Sequence, residues 1–100
     1  MDDMKNLGKL KALQTNAPEA MKAFWAFDKA AMAAGSISSK NKELIALAVA
    51  LTTQCPYCIE IHVKRAREAG ATEQELAEVV AVAAALRAGG AITHGSHAMM

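Results

Sequence analysis

Glu43-Leu44-Ile45-Ala46-Leu47-Ala48-Val49-Ala50-Leu51-Thr52-Thr53-Gln54-Cys55-Pro56-Tyr57-Cys58-Ile59-Glu60-Ile61-His62 is the stretch on which the reading of this chain turns. An unbroken apolar run, Leu44 to Leu51, is led by a carboxylate and followed by the chain's two cysteines. Pro56 lacks an amide N–H and has its φ preset, which suits the first turn of a helix. With Cys55 as N-cap and Pro56 at N1, the helix runs through Cys58 and His62 and stops near Gly70. Cys55 and Cys58 are then three apart and Cys58 and His62 four apart, so the three share one face. Both sulfurs lie in the first turn, where unpaired N–H groups favour a thiolate. A neighbouring imidazole can take up a thiol proton. Two thiols at this spacing can form a disulfide, bind a metal or react with an oxidant.

The rest of the chain supplies the frame. One hundred residues without a Ser/Gly/Pro-rich linker make a single domain spanning 1–100. Charge is balanced, 11 basic residues against 10 acidic, with no basic cluster or aromatic platform, which argues against nucleic acid as a partner. The strictly apolar run falls short of the ~20 residues that cross a bilayer, and the first residues lack the basic-then-apolar order of a signal peptide. The expectation is a cytoplasmic protein with no membrane partner. In that compartment a lone C-x-x-C is catalytic or metal-binding more often than a structural staple. Hydrophobic residues make up 53% of the chain and 23 residues are alanine, so helices that pack closely and associate into a homo-oligomer are expected.

Read in order, Met4 to Gln14 is a short amphipathic helix weakened by Gly8, and Asn16-Ala17-Pro18-Glu19 opens a second that ends at Gly35. Phe24, Trp25 and Phe27 on it are core or subunit contacts. Ser38 or Ser39 caps a helix from about Lys40 to Thr53, apolar all round after Glu43 and therefore the central buried element. The outer face of the cysteine helix carries Lys64, Arg65, Arg67 and Glu68. Gly70 terminates it, and Thr72-Glu73-Gln74-Glu75 is a capping box opening another apolar helix. Gly89-Gly90 is expected to end that helix, leaving a short terminal helix, Ala91 to Met100, with His94 and His97. No alternating β pattern occurs. The fold class is all-α, a compact bundle of five to six helices, which excludes the β-α-β setting of a thioredoxin.

The residues resemble the alkylhydroperoxidase D-like (AhpD-like) branch of the carboxymuconolactone decarboxylase family. Its signature, Glu, eleven residues, then Cys-x-x-Cys-x-x-x-His, is matched by Glu43, Cys55, Cys58 and His62. Pro18-Glu19-Ala20, Lys42 to Ala48, Gly70-Ala71-Thr72 and Gly89-Gly90 look similar too. The resemblance implies an all-helical fold and symmetric homo-oligomers, often trimers or hexamers. It also implies a thiol-dependent peroxidase or disulfide oxidoreductase with no cofactor, acting on a peroxide or disulfide substrate and restored by an external dithiol reductant. By position, Cys58 would be the attacking thiolate, Cys55 the resolving thiol, and Glu43 with His62 the proton relay. Where the best-known peroxidase members carry a histidine inside the C-x-x-C, this chain has Tyr57, which cannot take a proton at neutral pH.

Dipole arguments alone favour Cys55 as the lower-pKa thiol, whereas adjacency to His62 favours Cys58; a positioned base decides for Cys58. Glu43 lies about 18 Å along its helix from Cys55 and His62 about 10 Å along the next, so antiparallel helices would bring Glu43 to His62. Three other readings stand beside this one. A lactone decarboxylase would need cationic groups for a carboxylate, and Arg87 is the sole arginine outside the cysteine helix. A zinc site would combine Cys55, Cys58 and His62 with His94 or His97. The last is a non-catalytic assembly module.

Overall fold

A computed structural model of the chain describes residues 4–99. A 3-10 turn, Met4–Lys9, leads into α1 (Leu10–Asn16), followed by α2 (Pro18–Met32), α3 (Ser39–Thr53), α4 (Pro56–Glu68) and α5 (Glu73–Gly95). A final 3-10 turn spans Ser96–Ala98. The fold is all-helical, as the absence of period-two patterning required.

Local chemistry sets the boundaries. Pro18 stands at the start of α2 and Pro56 at the start of α4. The Ser38 hydroxyl accepts the Asn41 N–H at 3.1 Å and caps α3. Thr72 and Glu75 form the full capping box: Glu75 N–H donates to Thr72 Oγ1 at 3.1 Å and Thr72 N–H to Glu75 Oε1 at 2.9 Å. Lys40 on α3 donates to the same carboxylate at 2.9 Å. That bond, with the Thr72 N–H, holds the Glu75 carboxyl below the usual carboxylate range. Gly70 adopts φ +98°, the left-handed geometry that ends α4, with Ala71 N–H closing on Ala66 O at 2.9 Å.

Three sequence expectations are corrected. The segment from Met4 to Gln14 is not one α-helix: it is 3-10 up to Lys9 and α-helical from Leu10, the change falling next to Gly8. Gly89-Gly90 does not end α5, which continues to Gly95. Each glycine costs a helix about 1 kcal/mol, but strong helix formers flank the pair and neither glycine takes a positive φ. The separate terminal helix therefore does not exist, and its last residue, Met100, lies outside the described residues. Finally, α3 is not buried all round. Its buried residues are Glu43, Leu47 and Ala50, whereas Ile45 and Val49 are half-exposed.

The core sits where α3, α4 and α5 meet. Leu47, Ala66 and Leu76 are buried at its centre, with Leu44, Leu51, Ile59, Val63 and Val79 packed around them. Helices α3 and α4 form an antiparallel hairpin, and α5 lies across α3, while α1 and α2 touch the body through a narrower contact. The radius of gyration is 16.6 Å, above the ~13 Å of a compact domain of this length. Leu47→Ala removes the central leucine, 2% exposed, and should cost about 2–5 kcal/mol in urea unfolding. Thr72→Ala, which breaks the capping box, should cost about 1 kcal/mol.

Candidate functional site

The site is built on the α3–α4 hairpin. Thr53 ends α3, and Gln54 takes the left-handed conformation at φ 56°. Cys55 N–H reaches back to Ala50 O at 3.1 Å, closing a Schellman-type end. A glutamine in that conformation costs roughly 1–2 kcal/mol, and the sharp reversal it produces sets Cys55 at the mouth of α4. Cys55 is the N-cap, its sulfur accepting the Cys58 N–H at 3.3 Å. Both cysteines are free thiols and half-buried. The two sulfurs thus sit on the first turn of α4, as the placement of Pro56 required.

One helical turn beyond Cys58, His62 meets Glu43. His62 Nδ1 lies 3.0 Å from Glu43 Oε1 and 3.3 Å from Oε2. Glu43 is 7% exposed, the one charged residue buried among the described residues. Its carboxylate accepts the Nδ1–H, which fixes the ring's orientation and leaves Nε2 as the nitrogen able to exchange a proton. The antiparallel hairpin therefore brings Glu43 to His62 rather than to Cys55, the outcome the distances along the two helices implied.

The reduced cysteine pair is electrostatically linked. The Cys58 thiol is pushed up to about 11, first by its hydrogen bond to the Cys55 sulfur, then by burial and by the charge Cys55 would carry; the Cys58 backbone N–H opposes this. This corrects the expectation of a lowered Cys58 pKa: a thiol so held keeps its proton at neutral pH and needs a base to release it.

The other sequence candidates fall elsewhere. His94 and His97 lie beside each other at the end of α5, ring centroids 6.0 Å apart, on exposed positions. No group of three or more His, Cys, Asp or Glu among the described residues could hold a metal ion, so these histidines do not join Cys55, Cys58 and His62 in one cluster. Arg87, weighed as a carboxylate partner, donates to Thr52 O at 2.5 Å and so caps the end of α3.

The profile of the carboxymuconolactone decarboxylase family matches residues 18–99, which include the hairpin and all four site residues. The chain belongs to that family. Uncharacterized protein 4 in the cox locus of Paracoccus denitrificans is 49% identical over 77 residues, covering 77% of this chain and 69% of the relative. A protein of Methanobacterium thermoautotrophicum of known structure superposes with a TM-score of 0.82 at 36% identity, over 88% of this chain and 99% of that one. A carboxymuconolactone decarboxylase family protein from Legionella pneumophila, solved in its apo form, gives 0.77 at 34% identity over 82% and 73%. The all-helical architecture expected from the resemblance to this family is the one observed.

One contact at the site had no sequence signal. Asn6 Nδ2 donates to the Tyr57 hydroxyl at 3.3 Å, tying the N-terminal turn to the residue inside the C-x-x-C. The partners are 51 positions apart, and nothing in the spacing of either pointed to the other. The Tyr57 hydroxyl is an acceptor here.

Removing Cys55 should release the constraint on Cys58. In Cys55→Ala the pH midpoint for iodoacetamide alkylation of Cys58 should fall from about 11 toward the ordinary thiol range. The sign for stability follows by linkage. The folded thiol binds its proton more tightly than an unfolded one at ~8.5, so it stabilises the reduced fold below that pH. That stabilisation is lost as pH rises through about 11, and unfolding of Cys55→Ala followed between these limits should lack this decline.

Proposed function

We propose that this chain is a thiol-dependent peroxidase or disulfide oxidoreductase of the AhpD-like branch, working in a reducing compartment as a symmetric trimer or hexamer. The observation that carries the reading is the buried Glu43 carboxylate fixed on His62 Nδ1, one turn from Cys58. A base oriented in this way is what a thiol held near 11 requires.

In this reading His62 Nε2 takes the Cys58 proton while Glu43 steadies the imidazolium. The Cys58 thiolate attacks the O–O bond of a hydroperoxide: an S–O bond forms, the O–O bond breaks, and the departing alkoxide takes the proton from His62. The resulting sulfenic acid is attacked by Cys55, giving the Cys55–Cys58 disulfide and water. An external dithiol then exchanges with the disulfide, leaving both cysteines reduced and itself oxidised. A disulfide substrate enters by the same thiolate exchange, with a thiol in place of the alcohol as leaving product. No cofactor takes part. Asn6 binds the Tyr57 hydroxyl, and since tyrosine stands where the peroxidase relatives have their histidine, the proton route of this chain runs through His62.

Intact-mass measurement after one equivalent of an alkyl hydroperoxide tests the assignment. Wild type should lose two hydrogens as the disulfide forms, and a sulfenic adduct should be trapped in Cys55→Ser but not in Cys58→Ser. An adduct confined to Cys58→Ser would reverse the two roles, and thiols that stay reduced for hours would remove the peroxidase. Glu43→Gln and His62→Ala should slow disulfide formation by about 10²-fold or more near neutral pH, and the His62→Ala rate should climb as pH rises toward about 11, where the thiol ionises without a base.

A further inference from the structure

The end of α5 gathers two histidines and a methionine that the thiol site does not use. From Ala88 to Met99 the sequence holds no Lys, Arg, Asp or Glu, and its polar side chains are Thr93, His94, Ser96 and His97. Helix α5 ends at Gly95 and runs into the 3-10 turn Ser96–Ala98. Two local bonds shape this end: Ser96 Oγ donates to Thr93 O at 2.8 Å, and Met99 N–H folds back on Ser96 O at 3.1 Å. His94 and His97, three positions apart, come round to the same side. Both histidines are exposed, and Met99 is 75% exposed. Among the described residues neither imidazole makes a hydrogen bond, so the ring nitrogens are open to a ligand.

The spacing of the two rings suits a shared ion. Their centroids stand 6.0 Å apart with the planes inclined at 39°. Two imidazoles on one metal, each nitrogen about 2.1 Å from it, place their centroids roughly 5 to 6.5 Å apart between tetrahedral and linear arrangements. The observed separation lies within that range, toward the linear limit. The position also favours a cation, because the carbonyl end of a 23-residue helix carries partial negative charge.

We infer that His94, His97 and Met99 form a site for a cuprous ion at the end of α5. The ligand chemistry selects the metal. Imidazole serves zinc, copper, iron and nickel alike, whereas a thioether is soft and favours copper in its monovalent state. The back-bond from Met99 to Ser96 keeps the methionine at this end of the helix, and its three rotatable side-chain bonds let the sulfur adapt to an ion. Charge points the same way. The segment offers no carboxylate to neutralise a divalent ion, while a monovalent ion on three neutral ligands leaves a single positive charge. No third His, Cys, Asp or Glu joins the two histidines among the described residues, so the thioether completes the set and zinc is poorly served. The inference goes beyond the thiol reading and uses none of its residues.

Titration with cuprous ion, delivered from its bicinchoninate complex under ascorbate, tests the site in the full chain carrying Cys55→Ser and Cys58→Ser. Those serines remove the two thiols, so binding reports the end of α5. One ion should bind per chain, and the ring-proton resonances of His94 and His97 should move together while those of His62 stay in place. In this background His94→Ala or His97→Ala should weaken binding about tenfold or more. Met99→Leu, made with Met100→Leu so that the neighbouring thioether cannot substitute, should weaken it several-fold and narrow the preference for cuprous ion over zinc. Helical circular dichroism should be unchanged in the His94, His97 and Met99 variants, since all three positions are exposed. Affinity no greater than that of free imidazole, or indifferent to both histidines, would overturn the site. Zinc bound as tightly as cuprous ion, or methionine variants that bind like the parent, would overturn the part given to the thioether and with it the choice of copper.

Discussion

The contact between Glu43 and His62 is the constraint around which the rest is arranged. A carboxylate that is 7% exposed is costly unless a donor meets it, and here the donor comes from a different helix. The pair therefore fixes the register of α3 against α4. A slip of one residue along either helix would turn Glu43 away from the imidazole and leave a charge buried alone. The left-handed Gln54, the back-bond from Cys55 to Ala50 and the proline at the head of α4 all serve to reverse the chain tightly enough for that pairing. The same reversal places the cysteines on the first turn of α4.

The chain has little core beyond the meeting of α3, α4 and α5. Leu47, Ala66 and Leu76 are buried at its centre, and among the described residues no large side chain is completely sequestered. Alanine explains both facts. It lets helices approach closely, but each one buries too little surface to stabilise a 100-residue chain by itself. Apolar surface that finds no partner within the chain is left on the outside of α3, α2 and the far half of α5.

Much of this was legible in the sequence because it depends on local rules. Pro56 marks a helix start, Thr72 with Glu75 a capping box and Gly70 a left-handed stop, and each acts through backbone groups within a few residues of itself. The approach of Glu43 to His62 was legible as well, since two antiparallel helices joined by a tight turn have only one way to align. What failed needed information from farther away. Gly89-Gly90 carries the usual stop signal, yet a helix ends at glycine only when the chain turns left-handed there, and neither residue does. The exposure of Ile45 and Val49 could not be read either, since an all-apolar pattern says that a helix is covered without saying whether its own chain covers it. Asn6 and Tyr57 meet through the path of the N-terminal turn, which no periodicity records.

The division between a small core and a large uncovered apolar face bears on the chemistry as well. A thiol held near 11 by its neighbour reacts at neutral pH only if a base stands rigidly beside it. In the α3–α4 hairpin Leu47 and Ala66 pack the two helices together and Glu43 holds the imidazole. The cysteine pair and His62 therefore lie on elements whose packing the buried core fixes. The far half of α5 carries no such packing and is exposed along its length. Substitutions in the hairpin core should thus disturb the Glu43–His62 contact, while those on the outer half of α5 should leave it intact.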